Sequence, residues 1–577
     1  MTEAAVESGA STKVDAAFEA VKNACSLHGI EVVRLDSTVP NSLAVELTGA
    51  TRKWSIYVDC NEEHLSLPAV MTDAPSTPLA HVSYNGSVCV DDGQGLSLDP
   101  NRPADIVAHT VLKAYNLLEH SAMDATMGHE EFFNELEGYW LHLPGSLRAR
   151  AYFEVDGNSR MLKAFVKSKQ KLPKWFFVER DAEVPWEVQR EKLEGLRALY
   201  VQLDTLDLPP AFPDKLTTEF IDSVHQHLSP EQLKLWEQLL GPSKNTPKQL
   251  ALLISVPRQA GGSSLVGVAF GAYRGMVDKK ASVTPLTMRR HTPNYMRERG
   301  GASLDLLGKH VVVLGAGAVG GVVVDTLAAA GIGKLTVVDH DEYSEDNVFR
   351  HVLSPLFIET GKPIGLKLEL ERRYPGLSIT PVCTTAQKWF KTADLRKYDG
   401  IVLAFGAPSL ERSFSRVLKN KRFDLPVVFT WLEALDLGGH SILMSTKGPG
   451  CLECVYRDDE GQPALAPRTS FLEPNQPVTR NLTGCAGAFV PFGPIQARRT
   501  GLMAAEHLLS AITEIAVGGQ SRYPSYRFWV GEGLAAARHG LRTTPWFRAA
   551  RTTLPEDATR LVFSRACLHC RVPKEEA

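Results

Sequence analysis

Val311-Val312-Val313-Leu314-Gly315-Ala316-Gly317-Ala318-Val319-Gly320-Gly321 is the stretch on which the reading of this chain turns, together with Leu335-Thr336-Val337-Val338-Asp339 beyond it. An apolar run, a glycine turn and a helical continuation let backbone N–H groups approach phosphate, and a carboxylate about 20 residues on can hold a ribose hydroxyl. Gly315, Gly317, Gly320 and Asp339 are therefore candidate nucleotide-binding residues. Taken alone the pattern serves ATP and NAD equally, and a glycine turn can also do no more than pack helix against strand.

Outward from this stretch the chain alternates strand and helix patterns: Val319 to Ala330, Leu335 to Val338, Leu366 to Arg373, Gly400 to Ala404 and Val427 to Trp431. The alternation predicts parallel strands joined by crossovers, hence a doubly wound α/β sheet with its ligand at the carboxyl ends of the strands. Asp341, Asn347, Arg350 and His351 follow Asp339. Hydride transfer has little use for an arginine beside the phosphate end, whereas nucleotidyl transfer needs cations on a triphosphate and a carboxylate for Mg2+. ATP then outranks NAD.

These spaced motifs resemble the adenylating domain of the ubiquitin-activating and ThiF family, whose pattern is a glycine loop, Asp-x-Asp after the second strand, then Asn-x-x-Arg. The resemblance covers roughly residues 285 to 575. It implies a Rossmann-like adenylation domain using ATP and Mg2+, with Asp339, Asp341, Asn347 and a catalytic Arg350 at the nucleotide. It also implies a homodimer, because the family's partner subunit supplies an arginine near the start of the domain; Arg297 or Arg299 is the candidate here, Arg299 being the one retained. Three departures are visible. The phosphate-contacting lysine is Lys362 or Lys367, neither in ideal register; Gly406 stands where many members carry a magnesium-binding Asp; and Ala318 replaces a usual glycine in the loop.

Nine cysteines are few for 577 residues and odd in number, which argues against a disulfide framework and for metal or thiol chemistry. Cys451-x-x-Cys454 and Cys567-x-x-Cys570 have the spacing of two zinc knuckles, and the family places a structural zinc on two such pairs. Redox pairs or buried thiols are the other uses of that spacing. Cys485, in Thr483-Gly484-Cys485-Ala486-Gly487, lies in a glycine-flanked loop before a helix, where a thiol can have a lowered pKa and attack an acyl-adenylate. Its alternative is a small buried residue.

Near the start, a helix over 13 to 28, a meander at Glu31 to Leu35, Ser42 to Leu47 and Trp54 to Val58, a turn at Asn85-Gly86 and a helix from Pro103 to His120 follow in order, and Glu130 to Leu141 closes this unit. Asn85-Gly86-Ser87-Val88-Cys89-Val90 resembles the active-site stretch of ubiquitin-conjugating enzymes, which implies an α+β domain with Cys89 as a second acyl-carrying thiol. His81 stands where that family has its oxyanion-stabilising Asn, and a histidine can donate the same hydrogen bond. Cys25, Cys60 and Cys383 read as packing residues.

The chain thus divides into an expected conjugating-like domain at 1–140, a middle or linker domain at 141–284 with a helical centre from Trp186 to Leu240, and an adenylation domain at 285–577 with structural zinc. A net charge of -3 offers no basic excess for nucleic acid, and no apolar run reaches membrane-spanning length, so a cytoplasmic protein is expected. The two resemblances imply ATP-dependent activation of a protein C-terminus, thioester formation on Cys485, transfer to Cys89 and conjugation to a lysine. Fusions in this order resemble an ancillary conjugation enzyme of bacterial CBASS antiviral operons, whose substrate is a cyclic nucleotide synthase; a ubiquitin-like protein is the other candidate substrate. A ThiF-like adenylyltransferase for a sulfur carrier, with a non-catalytic N-terminal docking domain, is the alternative enzyme, and a nucleotide-binding scaffold with degenerate sites the non-enzymatic one.

Overall fold

The computed structural model describes the chain apart from residues 1–2, 61–64, 76–78, 92–94, 124, 168–173, 181–194, 205–215, 260, 422, 459, 483–487, 518–522, 564–566, 568 and 571–577. It forms two compact units, Met1–Thr292 and Pro293–Ala577. The division expected between 284 and 285 falls instead after Thr292, because Thr284–Arg290 is a strand paired with Ser263–Tyr273 and Leu147–Ala151 of the first unit.

The first unit opens with helix Glu3–Leu27, then an antiparallel sheet in chain order from Val32–Leu35 to Ser87–Val88, then helix Pro103–Met123. Strand Lys53–Asp59 alternates, burying Trp54, Ile56 and Val58, and these join Leu43, Val45 and Leu47 with Val107, Val111 and Leu118 in one core. The buried Glu119 on that helix accepts hydrogen bonds from Ala50 N–H (2.9 Å) and Trp54 Nε1–H (2.5 Å), tying the turn between two strands to the helix. Helix Ala125–His142 does not close this core. Phe132, Leu136, Tyr139 and Trp140 pack in a second one, and Trp140 Nε1–H donates to the Gly267 carbonyl at 2.9 Å.

That second core covers an eight-stranded sheet between Leu147 and Arg290 in which Lys248–Pro257 pairs with both Gly195–Gln202 and Ser263–Tyr273. The double pairing closes the sheet into a barrel, which leaves its main strands without open edges. One set of alternate residues, among them Ala149, Ala151, Ala164, Trp175, Phe177, Ala198, Tyr200 and Ala251, forms a cluster of its own inside the closed sheet, alanines opposite aromatics. The other set, including Leu199, Val201, Leu252 and Ile254, faces the helices. Gly195–Gln202 is thus a strand where a helical centre was expected, because both its faces are buried and its run of apolar residues reads the same either way. The flanking helices are Thr218–Gln226 and Pro230–Leu240, the second started by a capping box of Ser229 and Gln232.

In the second unit a seven-stranded sheet runs Ser378–Cys383, Lys334–Asp339, His310–Leu314, Gly400–Leu403, Pro426–Leu432, Gly438–Ser445, Ser525–Val530. The first five are parallel, Gly438–Ser445 runs against them, and Ser525–Val530 pairs antiparallel to it, along their direction again. Val311, Val312, Val313 and Leu314 are all fully buried, as a parallel strand covered by helices on both faces requires. The strand order reverses between His310–Leu314 and Gly400–Leu403, and the glycine loop leaves the sheet at that point. Among the described residues no helix is long and apolar enough to cross a membrane.

Candidate active site

Strand His310–Leu314 ends at Gly315, whose φ of 93° and approach to Ala404 exclude a side chain: a Cβ would lie 2.7 Å from the Ala404 carbonyl oxygen. A Cβ on Gly320 would meet the Gly315 carbonyl at 1.9 Å, so Gly320 lets helix Ala318–Ala330 sit against the loop rather than lining the site. At Gly317, the N-cap, a Cβ would enter open space, and no side chain caps the helix there. Its start faces the cavities below, the arrangement that binds anions.

Two adjoining cavities, of about 540 Å³ and 330 Å³, share Gly317 and Asp341. The smaller is the less polar and is walled by Val338, Ala386, Ala404, Phe405 and Leu410, with Asp339 at its rim, as a base and ribose require. The larger is lined by Asn347, Arg350 and Lys362. Asp339 accepts from Ala316 N–H at 2.6 Å and from Asp341 N–H at 2.9 Å, which holds the carboxylate at the turn. Lys362, buried at the start of helix Lys362–Arg373, donates to Asp341 Oδ2 at 2.9 Å. Burial raises the pKa of Asp341, but the Lys362 bond and charge outweigh it and hold this carboxyl below its ordinary value.

His351 locks the loop from beneath. Leu353 N–H donates to its Nδ1 at 3.1 Å, so the proton sits on Nε2, which donates to the Ala316 carbonyl at 2.7 Å. Burial lowers its pKa and keeps it neutral. Nothing in the sequence assigned His351 this role; its place one residue after Arg350 was the signal available.

Of the expected nucleotide residues, Gly315, Gly317, Asp339, Asp341, Asn347, Arg350 and Lys362 come together. Lys367 does not: it is engaged by Glu371 Oε1 at 2.6 Å and the Ile379 carbonyl at 3.0 Å on the far side of its helix. Arg299 is exposed and lines neither cavity, while Arg297 is buried and donates to the Gly331 carbonyl at 2.6 Å, anchoring the end of the nucleotide helix. Gly406 N–H donates to Oε1 of Glu411 at 3.1 Å, so the loop without the usual aspartate is held from behind by a buried carboxyl.

Cys485 lies outside the described residues. Strands Arg480–Asn481 and Ala488–Phe489 flank it, and Phe489, Val490 and Phe492 line the larger cavity. The Arg350 guanidinium lies 5.1 Å from the centre of the Phe492 ring. These three residues were not anticipated, although their position just after Cys485 pointed to them.

Cys451, Cys454, Cys567 and Cys570 converge, with Sγ···Sγ separations of 4.0, 3.7 and 3.5 Å for 451–454, 451–567 and 454–570. A disulfide needs about 2.05 Å, whereas four thiolates at about 2.3 Å from one tetrahedral ion stand roughly 3.8 Å apart. The cluster is compatible with zinc. In the first unit Cys89 is exposed, and its N–H donates to the His81 carbonyl at 2.9 Å. His81 has a left-handed φ of 63°, its N–H donates to Tyr139 Oη at 2.5 Å, and its Nε2 lies 3.7 Å from Glu131. Cys25 and Cys60 are buried; Cys383, read as a packing residue, is exposed at a strand end.

Residues 292–532 match the ThiF family, which makes the second unit a ThiF-type adenylation domain and implies ATP as its nucleotide. The chain resembles the ATP-dependent ubiquitin transferase-like protein Cap2 of Pseudomonas aeruginosa, at 27% identity over 229 residues, 38% of this chain and 40% of that protein. It is also similar to the adenylyltransferase and sulfurtransferase UBA4 of Yarrowia lipolytica, at 26% identity over 156 residues, 26% of this chain and 38% of that one. The matches thus span well under half the length of either relative. Among solved structures, E. coli MccB with succinimide superposes with a TM-score of 0.28 and 18% identity, over 40% of this chain and 62% of that one.

Proposed function

We propose that this protein activates the C-terminal carboxylate of a protein with ATP and passes the acyl group through two thiols to an amine. A carboxylate oxygen attacks the α-phosphorus and pyrophosphate leaves; the Cys485 thiolate attacks the acyl-adenylate and AMP leaves; Cys89 takes the acyl group and frees Cys485; a lysine amine then takes it from Cys89. Each step exchanges one activated carbonyl for another, so positioning and charge stabilisation suffice. Lys362 and Arg350 are the cations for the phosphate charge, with Asn347 beside them. Mg2+ would neutralise the triphosphate when bound, and Asp341 with Asp339 is the carboxylate pair placed to hold it.

One observation carries this reading: the cavity lined by Lys362 and Arg350 is also lined by Phe489, Val490 and Phe492, just after Cys485. Exposure of Cys89 beside the His81 turn supports the conjugating role of the first domain, where His81 would stabilise the oxyanion. Phe349 and Leu356, 91% and 89% exposed on either side of Arg350, support a homodimer, with Arg299 the residue offered to the other copy. The four cysteines would hold a structural zinc. The substrate is a protein with a flexible C-terminus, a cyclic nucleotide synthase in antiviral defence or a ubiquitin-like protein, and the setting cytoplasmic. The similarity to UBA4 favours a second reading, adenylation for a sulfur carrier with a non-catalytic first domain.

The test is ATP–pyrophosphate exchange with a candidate C-terminal peptide, followed by a non-reducing gel. Cys485→Ala should keep the exchange and lose the thiol-sensitive adduct. An adduct of undiminished yield on Cys485→Ala would remove Cys485 from the scheme.

A further inference from the structure

Arg457 follows the first cysteine pair by three residues and is only 6% exposed. Its Nη1 donates to the Gly461 carbonyl at 3.2 Å and its Nη2 to Cys567 Sγ at 3.9 Å, while Nε has no hydrogen-bond partner. Among the described residues no carboxylate pairs with this guanidinium. An arginine side chain stays charged in a protein, and a buried charge without a counter-charge costs several kcal/mol.

The neighbouring group is the cysteine cluster, and its charge depends on its state. Four protonated thiols are neutral and offer Arg457 no counter-charge. Four thiolates around one divalent ion carry a formal charge of -2. Lys419, at the end of helix Pro408–Lys419, is a second basic group on this side: its Nζ donates to the Ser445 carbonyl at 3.0 Å and to that of Gly448, and burial lowers its pKa against the opposing pull of Cys451, Cys570, Cys454 and Asp424. One guanidinium and one ammonium balance the formal charge of the loaded centre.

We infer that Arg457 and Lys419 are the counter-cations of a four-thiolate metal centre and set how firmly it holds its ion. The inference rests on the proposal that the cluster binds zinc. Both act through the ligands: Arg457 donates to a sulfur and Lys419 supplies charge, so they are positioning residues. Neutralising the thiolates also makes them poorer nucleophiles, which suits a structural centre in a protein proposed to carry acyl groups on other thiols.

The experiment uses the full chain. Zinc is counted by mass spectrometry in the wild type, Arg457→Met, Arg457→Lys and Lys419→Met, and its transfer to the chelating dye 4-(2-pyridylazo)resorcinol is timed. The wild type should hold zinc, Arg457→Met should release it about tenfold faster or more, and Arg457→Lys should recover part of the loss, the range expected when a partner of a metal ligand is removed. In the cobalt-loaded protein the sulfur-to-metal charge-transfer band should shift in Arg457→Met and return toward the wild type in Arg457→Lys, which a mere packing role would not produce. A wild type without bound metal overturns the centre itself. A zinc-loaded wild type with unchanged release and an unmoved cobalt band in folded Arg457→Met overturns only the counter-cation role; if that variant does not fold, unchanged release and an unmoved cobalt band in Lys419→Met do the same.

Discussion

Lys362 Nζ lies 2.9 Å from Asp341 Oδ2, so a lysine and a carboxylate expected to serve the nucleotide separately form one ion pair at the floor of the larger cavity. The backbones repeat the link, Lys362 N–H donating to the Asp341 carbonyl at 3.0 Å. The pair keeps a buried ammonium compensated until a phosphate replaces or joins the carboxylate. Lys362→Ala should lower pyrophosphate exchange by about 100-fold, the usual loss for one preorganised donor to developing charge. Lys367→Ala, whose partners are Glu371 and Ile379, should stay within about twofold. Equal losses in the two variants would contradict the assignment.

Phe492 supports Arg350 from the side of the Cys485 segment, at 5.1 Å from ring centre to guanidinium carbon. Leu435 N–H donates to the Pro491 carbonyl at 2.5 Å and fixes the backbone beneath that ring. Phe492→Leu should weaken ATP binding about two- to fivefold, in line with about 0.5–1 kcal/mol for an exposed cation–π contact. Isothermal titration of wild type and variant with ATP and Mg2+ measures it.

His351 must be neutral, because Leu353 N–H already occupies its Nδ1. Burial lowers its pKa from the ordinary 6.5. A group whose folded pKa is lowered binds fewer protons in the native state, so stability rises with pH through the window below about 6.5 and is level above it. The melting temperature should fall on acidification below that value, and less steeply for His351→Gln, whose amide can both donate and accept. Parallel slopes for the two proteins would exclude His351 as a source of the acid sensitivity.

Glu411 has the opposite sign. Burial pushes its carboxyl from 4.5 up to about 7, against backbone N–H bonds from Gly406, Ala407 and Phe405 that lower it. Its folded pKa is raised, so its contribution is present below about pH 4.5 and is lost as the pH climbs through 7. Glu411→Gln should gain stability relative to wild type between pH 5.5 and pH 8, read by thermal melting at each pH. A gain that shrinks as the pH rises would show that the carboxylate, not the acid, is the favoured form.

Cys89 and Cys485 separate by order of reaction. With a cognate C-terminal peptide, Cys89→Ala should keep pyrophosphate exchange and the Cys485 adduct but lose transfer to an amine. Product formation unchanged in Cys89→Ala would favour the sulfur-carrier reading and make the first domain a docking module.

By itself the sequence determined the doubly wound sheet, the nucleotide loop and the four cysteines of the cluster. Parallel strands buried on both faces are continuous apolar runs, a glycine turn declares where backbone must approach phosphate, and Cys-x-x-Cys spacing lets two sulfurs face one ion. Tertiary structure alone decided the rest, because the deciding contacts join residues far apart in the chain. The barrel closes only when Lys248–Pro257 finds both Gly195–Gln202 and Ser263–Tyr273, and no local pattern records that choice. Lys362 and Lys367 are equally basic in sequence, and the turn of one helix puts the first at Asp341 and the second at Glu371. Arg457 reads as an ordinary surface arginine until the fold buries it against Cys567.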